Sequence, residues 1–151
     1  MRKVLVLLTI SLMLVIAFPI TAQDSPSVEV DDQISLDGTV HIRSVYSDVP
    51  AFIVIHQDNG SGSFGAVIGH RQVNAGWSFN VDIPIDASMA TSTLYAMLHV
   101  DDNEAGVYEF GTVDGADAPV VVDGALVSPA FNVDVLYAWD NFVDGSATIG
   151  N

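Results

Sequence analysis

Histidine and methionine side chains near the ends of two apolar segments are the first candidates for chemistry. His56 follows the apolar run Ala51–Ile55, and His99 lies near the end of the segment Thr93–Val100. Met97 precedes His99 by two residues, so both side chains share one face if this segment is a strand. If the two strands are neighbours, their matching positions place both imidazoles near the same end of a sheet. Two imidazoles and a thioether suit copper. The alternative is a pair of strand-end histidines that make ordinary hydrogen bonds.

Oxygen ligands are concentrated in the segment that follows His99. Asp101, Asn103 and Gly106 match the first, third and sixth positions of an EF-hand loop, but Ala105 and Thr112 stand where two further ligands are required. The sequence therefore excludes a complete EF-hand loop. An irregular calcium site between strands remains open, as does a set of simply solvated carboxylates. The candidate metal ligands of this region are His99, Asp101, Asp102, Glu109, Asp114 and Asp117, with His56 as an addition.

Other motifs give weaker indications. Asn59-Gly60-Ser61 is an N-glycosylation sequon, which is used only if the host glycosylates exported proteins. The glycines at 60, 62 and 65 match a dinucleotide-binding pattern, but the residues after them favour a strand rather than the required helix. The chain has no G-x-S-x-G motif, and no candidate base has an evident orienting partner. We therefore predict that the protein is not an enzyme, and a hydrolase is the least favoured function.

The elements that must position these residues are strands. Asp-Gly or Asn-Gly dipeptides, which favour tight hairpin turns, separate short runs rich in Val, Ile, Phe and Tyr. Ala51–Ile55 is apolar throughout, as expected of a strand that is covered on both faces. Trp77–Ile83 alternates, which predicts that Trp77, Phe79, Val81 and Ile83 share one face. These patterns predict a single all-β, antiparallel sandwich of immunoglobulin-like or cupredoxin-like type.

The amino terminus and the composition indicate an exported protein. Arg2 and Lys3 precede an apolar run that Pro19 ends, which is the layout of a cleaved signal peptide. We expect a signal peptide at 1–22, a short linker at 23–27, the sandwich at 28–138 and a loose tail at 139–151. Cysteine is absent, which excludes disulfides, and the net charge of −15 argues against nucleic acid as a partner. The expected location is the cell surface or the medium, with no permanent membrane anchor after cleavage.

Several segments together resemble a known family. They are Ala51–His56, Val67–Gly69, the segment Leu94–Asp101 with the sequence LYAMLHVD, Tyr108–Phe110 and the GADAP turn at Gly115–Pro119. Over Val28 to about Val133, the chain resembles the DUF7282-like family of exported proteins from haloarchaea and some bacteria. The resemblance implies a β-sandwich outside the cell and no particular activity. We expect a non-catalytic interaction or structural module with an unknown protein or cell-surface partner. The alternative is an exported domain that binds calcium or copper.

Overall fold

The structure is a computed structural model that describes residues 24–136, and these form ten strands and one short 3-10 helix. The predicted signal peptide, the predicted tail and the last residues of the predicted sandwich lie outside the described residues. The strands are β1 (Ser27–Glu29), β2 (Gln33–Ser35), β3 (Thr39–Ser47), β4 (Ala51–Asp58), β5 (Phe64–Val73), β6 (Gly76–Pro84), β7 (Thr93–Val100), β8 (Val121–Val122), β9 (Ala125–Leu126) and β10 (Ala130–Val135). The 3-10 helix spans Ala87–Met89.

The strands form two facing sheets and a small hairpin. The smaller sheet has the order β1-β3-β6, and the larger sheet has the order β2-β10-β7-β4-β5. Strands β8 and β9 pair with each other. All pairs are antiparallel except β2 with β10, which run parallel. The predicted all-β sandwich is confirmed, and its strand order follows the immunoglobulin arrangement of an A-B-E sheet against a G-F-C sheet with an added C′ strand.

The hydrophobic core lies between the two sheets. The smaller sheet contributes Val40, Ile42 and Ile83, all fully buried. From the larger sheet, Ala51, Ile53 and Ile55 of β4 and Leu94, Ala96 and Leu98 of β7 pack into the same cluster. Five intervening residues are buried as well, although they point away from this core: Phe52, Val54, His56, Met97 and His99. Strand β4 is therefore covered on both faces, as the apolar run at Ala51–Ile55 predicts.

Residues 101–118, which we call the cover loop, lie over the outer face of the larger sheet. Tyr108 of the loop packs edge-on against Phe52 of β4, and Phe110 packs edge-on against His99 of β7. The loop thus closes off the second apolar face of β4 and β7. No helix in the described part of the chain has the length and apolar character needed to cross a bilayer.

The prediction that the alternating apolar side chains of β6 share one face is wrong for the first half of the strand. Ile83 is fully buried, but Trp77 and Phe79 are 47% and 63% exposed. The cause is Asn80, whose positive φ of 53° interrupts the extended backbone of the strand. Beyond Asn80 the alternation changes phase, so two large aromatic side chains face solvent.

Candidate functional site

Six side chains from β4 and β7 line the outer face of the larger sheet, and the cover loop packs on two of them, Phe52 and His99. They form three cross-strand pairs, which are Phe52 with His99, Val54 with Met97, and His56 with Tyr95. Alternation along each strand places them on the face opposite the core residues. The face is therefore mostly apolar, with one imidazole on either side of the central Val54–Met97 pair.

The structure places the two predicted histidine ligands close together, but the strand arrangement differs from the one expected from the sequence. Strands β4 and β7 are neighbours but antiparallel, so the expectation that His56 and His99 lie at the same end of the sheet is wrong. The two rings nevertheless lie close together and stack, with ring centroids 5.9 Å apart and planes inclined by 21°. His56 is 6% exposed and His99 is fully buried.

Each imidazole is oriented by one hydrogen bond to a backbone carbonyl. Nδ1 of His56 lies 3.0 Å from the carbonyl oxygen of Gly65, and Nδ1 of His99 lies 2.7 Å from that of Asp117. A carbonyl oxygen accepts only, so Nδ1 is the donor in both rings. The Nε2 atoms of both rings are buried and have no hydrogen-bond partner among the described residues.

The surroundings favour uncharged forms of the ring side chains. Burial lowers the pKa of His99 below its ordinary value, and the neighbouring His56 lowers it further, against opposing effects of Asp117. Burial also lowers the pKa of His70, which stacks on Tyr108 with centroids 4.6 Å apart. Burial, and then the Asp117 carboxylate, raise the pKa of Tyr108. These shifts favour the neutral forms of His99, His70 and Tyr108.

Asp117 holds the cover loop together. Its side chain is fully buried and accepts hydrogen bonds from the backbone N–H groups of Asp102 at 3.1 Å and Glu109 at 2.5 Å. Its own N–H donates to Oδ1 of Asp102 at 2.7 Å, and its carbonyl oxygen accepts from His99. Asp117 adopts a positive φ of 49°, which Asp tolerates better than most residues. This predicted calcium ligand thus binds backbone amides of the loop.

The remaining predicted oxygen ligands are dispersed along the same loop. Asp101 accepts from the N–H of Gly106 at 2.9 Å and from the side-chain amide of Gln72 at 2.6 Å. Glu109 accepts from the side chain of Asn103 at 2.7 Å, and Asp114 is exposed. Within residues 24–136, no group of three or more His, Cys, Asp or Glu side chains is arranged to hold a metal ion.

The predicted glycosylation site is an accessible turn. Asn59 is exposed between β4 and β5, and its side-chain oxygen accepts from the N–H of Ser61 at 2.9 Å and from its hydroxyl at 2.7 Å. The sequon is therefore held in a local turn at the edge of the larger sheet.

A second group of side chains, on the outer face of the smaller sheet, escaped the sequence analysis. Trp77 and Phe79 stack with centroids 5.6 Å apart and planes within 7°, and Tyr46 packs on Trp77 at 5.3 Å. We call these three residues the aromatic patch. Only the asparagine in the middle of the alternating run hinted at this arrangement, because Asn is enriched at positive φ.

Comparison with known proteins places the chain in a family. Residues 26–134 match the family described as "Domain of unknown function (DUF7282)". The chain belongs to this family. Two curated relatives come from Haloarcula hispanica: "Cell surface glycoprotein 1", 29% identical over 78% of this chain, and "Cell surface glycoprotein 2", 31% identical over 77% of it. The matched part spans 12% of each relative. No solved structure matches the chain significantly.

These similarities confirm two expectations. The family resemblance read from the sequence is confirmed by the match over residues 26–134. The relatives are cell surface glycoproteins, and the predicted secreted or cell-surface location is confirmed with them.

Proposed function

We propose that this chain is a non-catalytic interaction module of the cell exterior, and that the aromatic patch is its binding surface. The observation that supports this is the exposure of Trp77 and Phe79, at 47% and 63%, on the uncovered face of the smaller sheet. Large stacked aromatic side chains on a solvent-facing strand are uncommon in a monomer, and such patches mark interaction sites. Trp and Tyr are also the residues that most often dominate binding energy at interfaces.

The surroundings of the patch favour a basic protein segment as the partner. Trp77 donates a hydrogen bond through Nε1 to Asp24 at 3.1 Å. Burial and then the charge of Asp48 raise the pKa of Tyr46, so a second carboxylate lies close to the patch. Arg side chains stack on aromatic faces and pair with carboxylates at the same time. The net charge of −15 attracts such a partner over a longer range.

A non-catalytic role agrees with the surface around the cover loop. One open depression of about 430 Å³ is lined by residues 110–116 and Ala118, and its only ionisable side chain is that of Asp114. Acid–base chemistry would require a base with an orienting partner beside a nucleophile. The described lining of this depression offers a single solvated carboxylate.

The test uses tryptophan fluorescence. The sequence contains two tryptophans, so a Trp139→Phe background leaves Trp77 as the only indole. This protein is titrated with an arginine-rich peptide, with a glutamate-rich peptide of equal length and with a neutral oligosaccharide. We expect saturable quenching by the arginine-rich peptide that weakens with added salt.

Two further variants separate specific binding from general attraction to an acidic protein. Phe79→Ala removes a patch side chain, whereas Ile34→Ala removes an apolar side chain of equal exposure, 63%, from the larger sheet. We expect Phe79→Ala to weaken binding about tenfold, or about 1.4 kcal/mol, and Ile34→Ala to leave it unchanged. Equal binding by the two variants, or no binding by the parent protein, refutes the proposed surface. Binding of the oligosaccharide alone replaces the basic partner with a glycan.

A further inference from the structure

The buried Nε2 atoms of His56 and His99, which have no hydrogen-bond partner among the described residues, indicate a ligand site. His56 and His99 are more than nine-tenths buried, and neither Nε2 has a hydrogen-bond partner. In both rings the proton resides on Nδ1, which is bonded to a carbonyl oxygen. The neutral ring then carries a lone pair on Nε2, which is the form that coordinates metals. A carbonyl that fixes the ring through Nδ1 is also the usual outer partner of a metal-bound histidine.

We infer that His56 and His99 bind one monovalent copper ion through Nε2 under the cover loop, with Met97 as the third ligand. His56 and His99 occupy register positions on opposite sides of the Val54–Met97 pair, and their rings lie close together. Two imidazoles that bind one ion from opposite sides, with bonds of about 2 Å, have ring centres about 6 Å apart. The observed separation is 5.9 Å, with the planes within 21° of each other.

The composition of this face selects a soft ion of low coordination number. Met97 is 3% exposed and lies on the same face as both histidines, in the row between them. No third His, Cys, Asp or Glu side chain among the described residues joins the pair, so hard ions that need several oxygen ligands have no support there. Thioether and imidazole ligands together favour monovalent copper.

The walls of the site are aromatic. Phe64 lies 6.0 Å from His56 and Phe110 lies 4.8 Å from His99, measured between ring centroids. Such walls exclude water and disfavour a high ionic charge. A single positive charge therefore costs less to bury there than a double one. The cover loop would have to open for the ion to enter, since the histidines and Met97 are buried.

The experiment is an anaerobic titration of the metal-free chain with monovalent copper, held by a competing chelator, followed by X-ray absorption at the copper edge. We expect one equivalent of copper with two nitrogen ligands and one sulfur ligand. Met97→Leu should lose the sulfur signal and retain the nitrogens, and His56→Gln should lose stoichiometric binding. His41→Gln is the matched control, because His41 is exposed on the smaller sheet and bonded to Asp82.

The outcomes that overturn the inference are distinct. If the parent protein binds no copper, the inference is wrong, and a buried water molecule is the remaining partner for the two Nε2 atoms. Binding that survives His56→Gln, or that falls equally in His41→Gln, places copper elsewhere on the chain. Parallel titrations with calcium and zinc test the remaining metals. A saturable response to calcium alone would transfer the site to the carboxylates of the cover loop, such as Asp101 and Asp102. If His99→Gln fails to fold, His56→Gln and Met97→Leu still decide the question.

Discussion

Replacing Asp117 with alanine is expected to lower the free energy of unfolding by about 3–6 kcal/mol. The buried carboxylate accepts two hydrogen bonds, from the N–H groups of Asp102 and Glu109. Hydrogen bonds to charged groups contribute about 1.5–3 kcal/mol each, and the variant leaves both amides without their partner. A domain of this size is stable by about 5–15 kcal/mol, so the loss is a large fraction of the total.

Urea denaturation of the metal-free protein in a chelator measures this loss directly. The control is Asp114→Ala, which removes an exposed carboxylate from the same loop and should change stability by less than about 0.5 kcal/mol. Asp117→Asn keeps one acceptor and should lie between the two. Amide hydrogen exchange should show the largest loss of protection in residues 101–118. The reasoning is refuted if Asp117→Ala and Asp114→Ala unfold at the same urea concentration.

Three further predictions concern other parts of the domain. Backbone and side-chain hydrogen bonds from Asn132 lower the pKa of Asp32. The contribution of these bonds to stability is therefore complete above the ordinary pKa of 3.8, and it is lost as the pH falls through the folded-state pKa. NMR titration should show the lowered pKa of Asp32, and a smaller lowering in Asn132→Ala, where the backbone bond remains. Gly69→Ala should lower the melting temperature and reduce the free energy of unfolding by about 1–3 kcal/mol, because the added Cβ would lie 2.5 Å from the carbonyl oxygen of Pro84. An unchanged melting curve would show that β5 and β6 move apart there without cost. Secretion of the chain from Haloarcula hispanica should give an intact mass above that of the polypeptide, and Asn59→Gln should abolish the increment; equal masses would mean that the sequon is not used.

The fold could be predicted where the hydrophobic pattern of a segment directly reflects the burial of its residues. Ala51–Ile55 is continuously apolar because β4 is packed between the core and the cover loop, and this strand is buried along that run. Trp77–Ile83 misled the prediction because one left-handed residue, Asn80, changes the phase of the alternation. A single backbone conformation of this kind has no periodic signal. The parallel pairing of β2 with β10 joins residues about a hundred positions apart, which local patterns do not encode.

The candidate site could be predicted in its residue types but not in its geometry. The sequence indicated His56, His99 and Met97 through their places in two apolar strands, and the structure puts them on one face. The sequence did not show that β4 and β7 run antiparallel. It also did not show the side-chain orientations that place the rings of His56 and His99 close together. The carboxylates 101–117 have the composition of a calcium loop, yet Asp117 is occupied by backbone amides. Carboxylates that bind an ion and carboxylates that cap amides look alike in a sequence.

The two outer faces of the sandwich support separate roles. The outer face of β4 and β7 is buried, and the two histidines on it each leave one Nε2 atom without a partner among the described residues. A buried polar atom without a partner costs about 1–3 kcal/mol, a cost that a ligand bound to both Nε2 atoms would remove. The smaller sheet leaves Trp77 and Phe79 exposed, where the proposed partner would cover them. Because these features lie on opposite faces and share no contacts, substitutions in one should leave the other intact. Loss of copper binding and loss of peptide binding are therefore independent tests of the same domain.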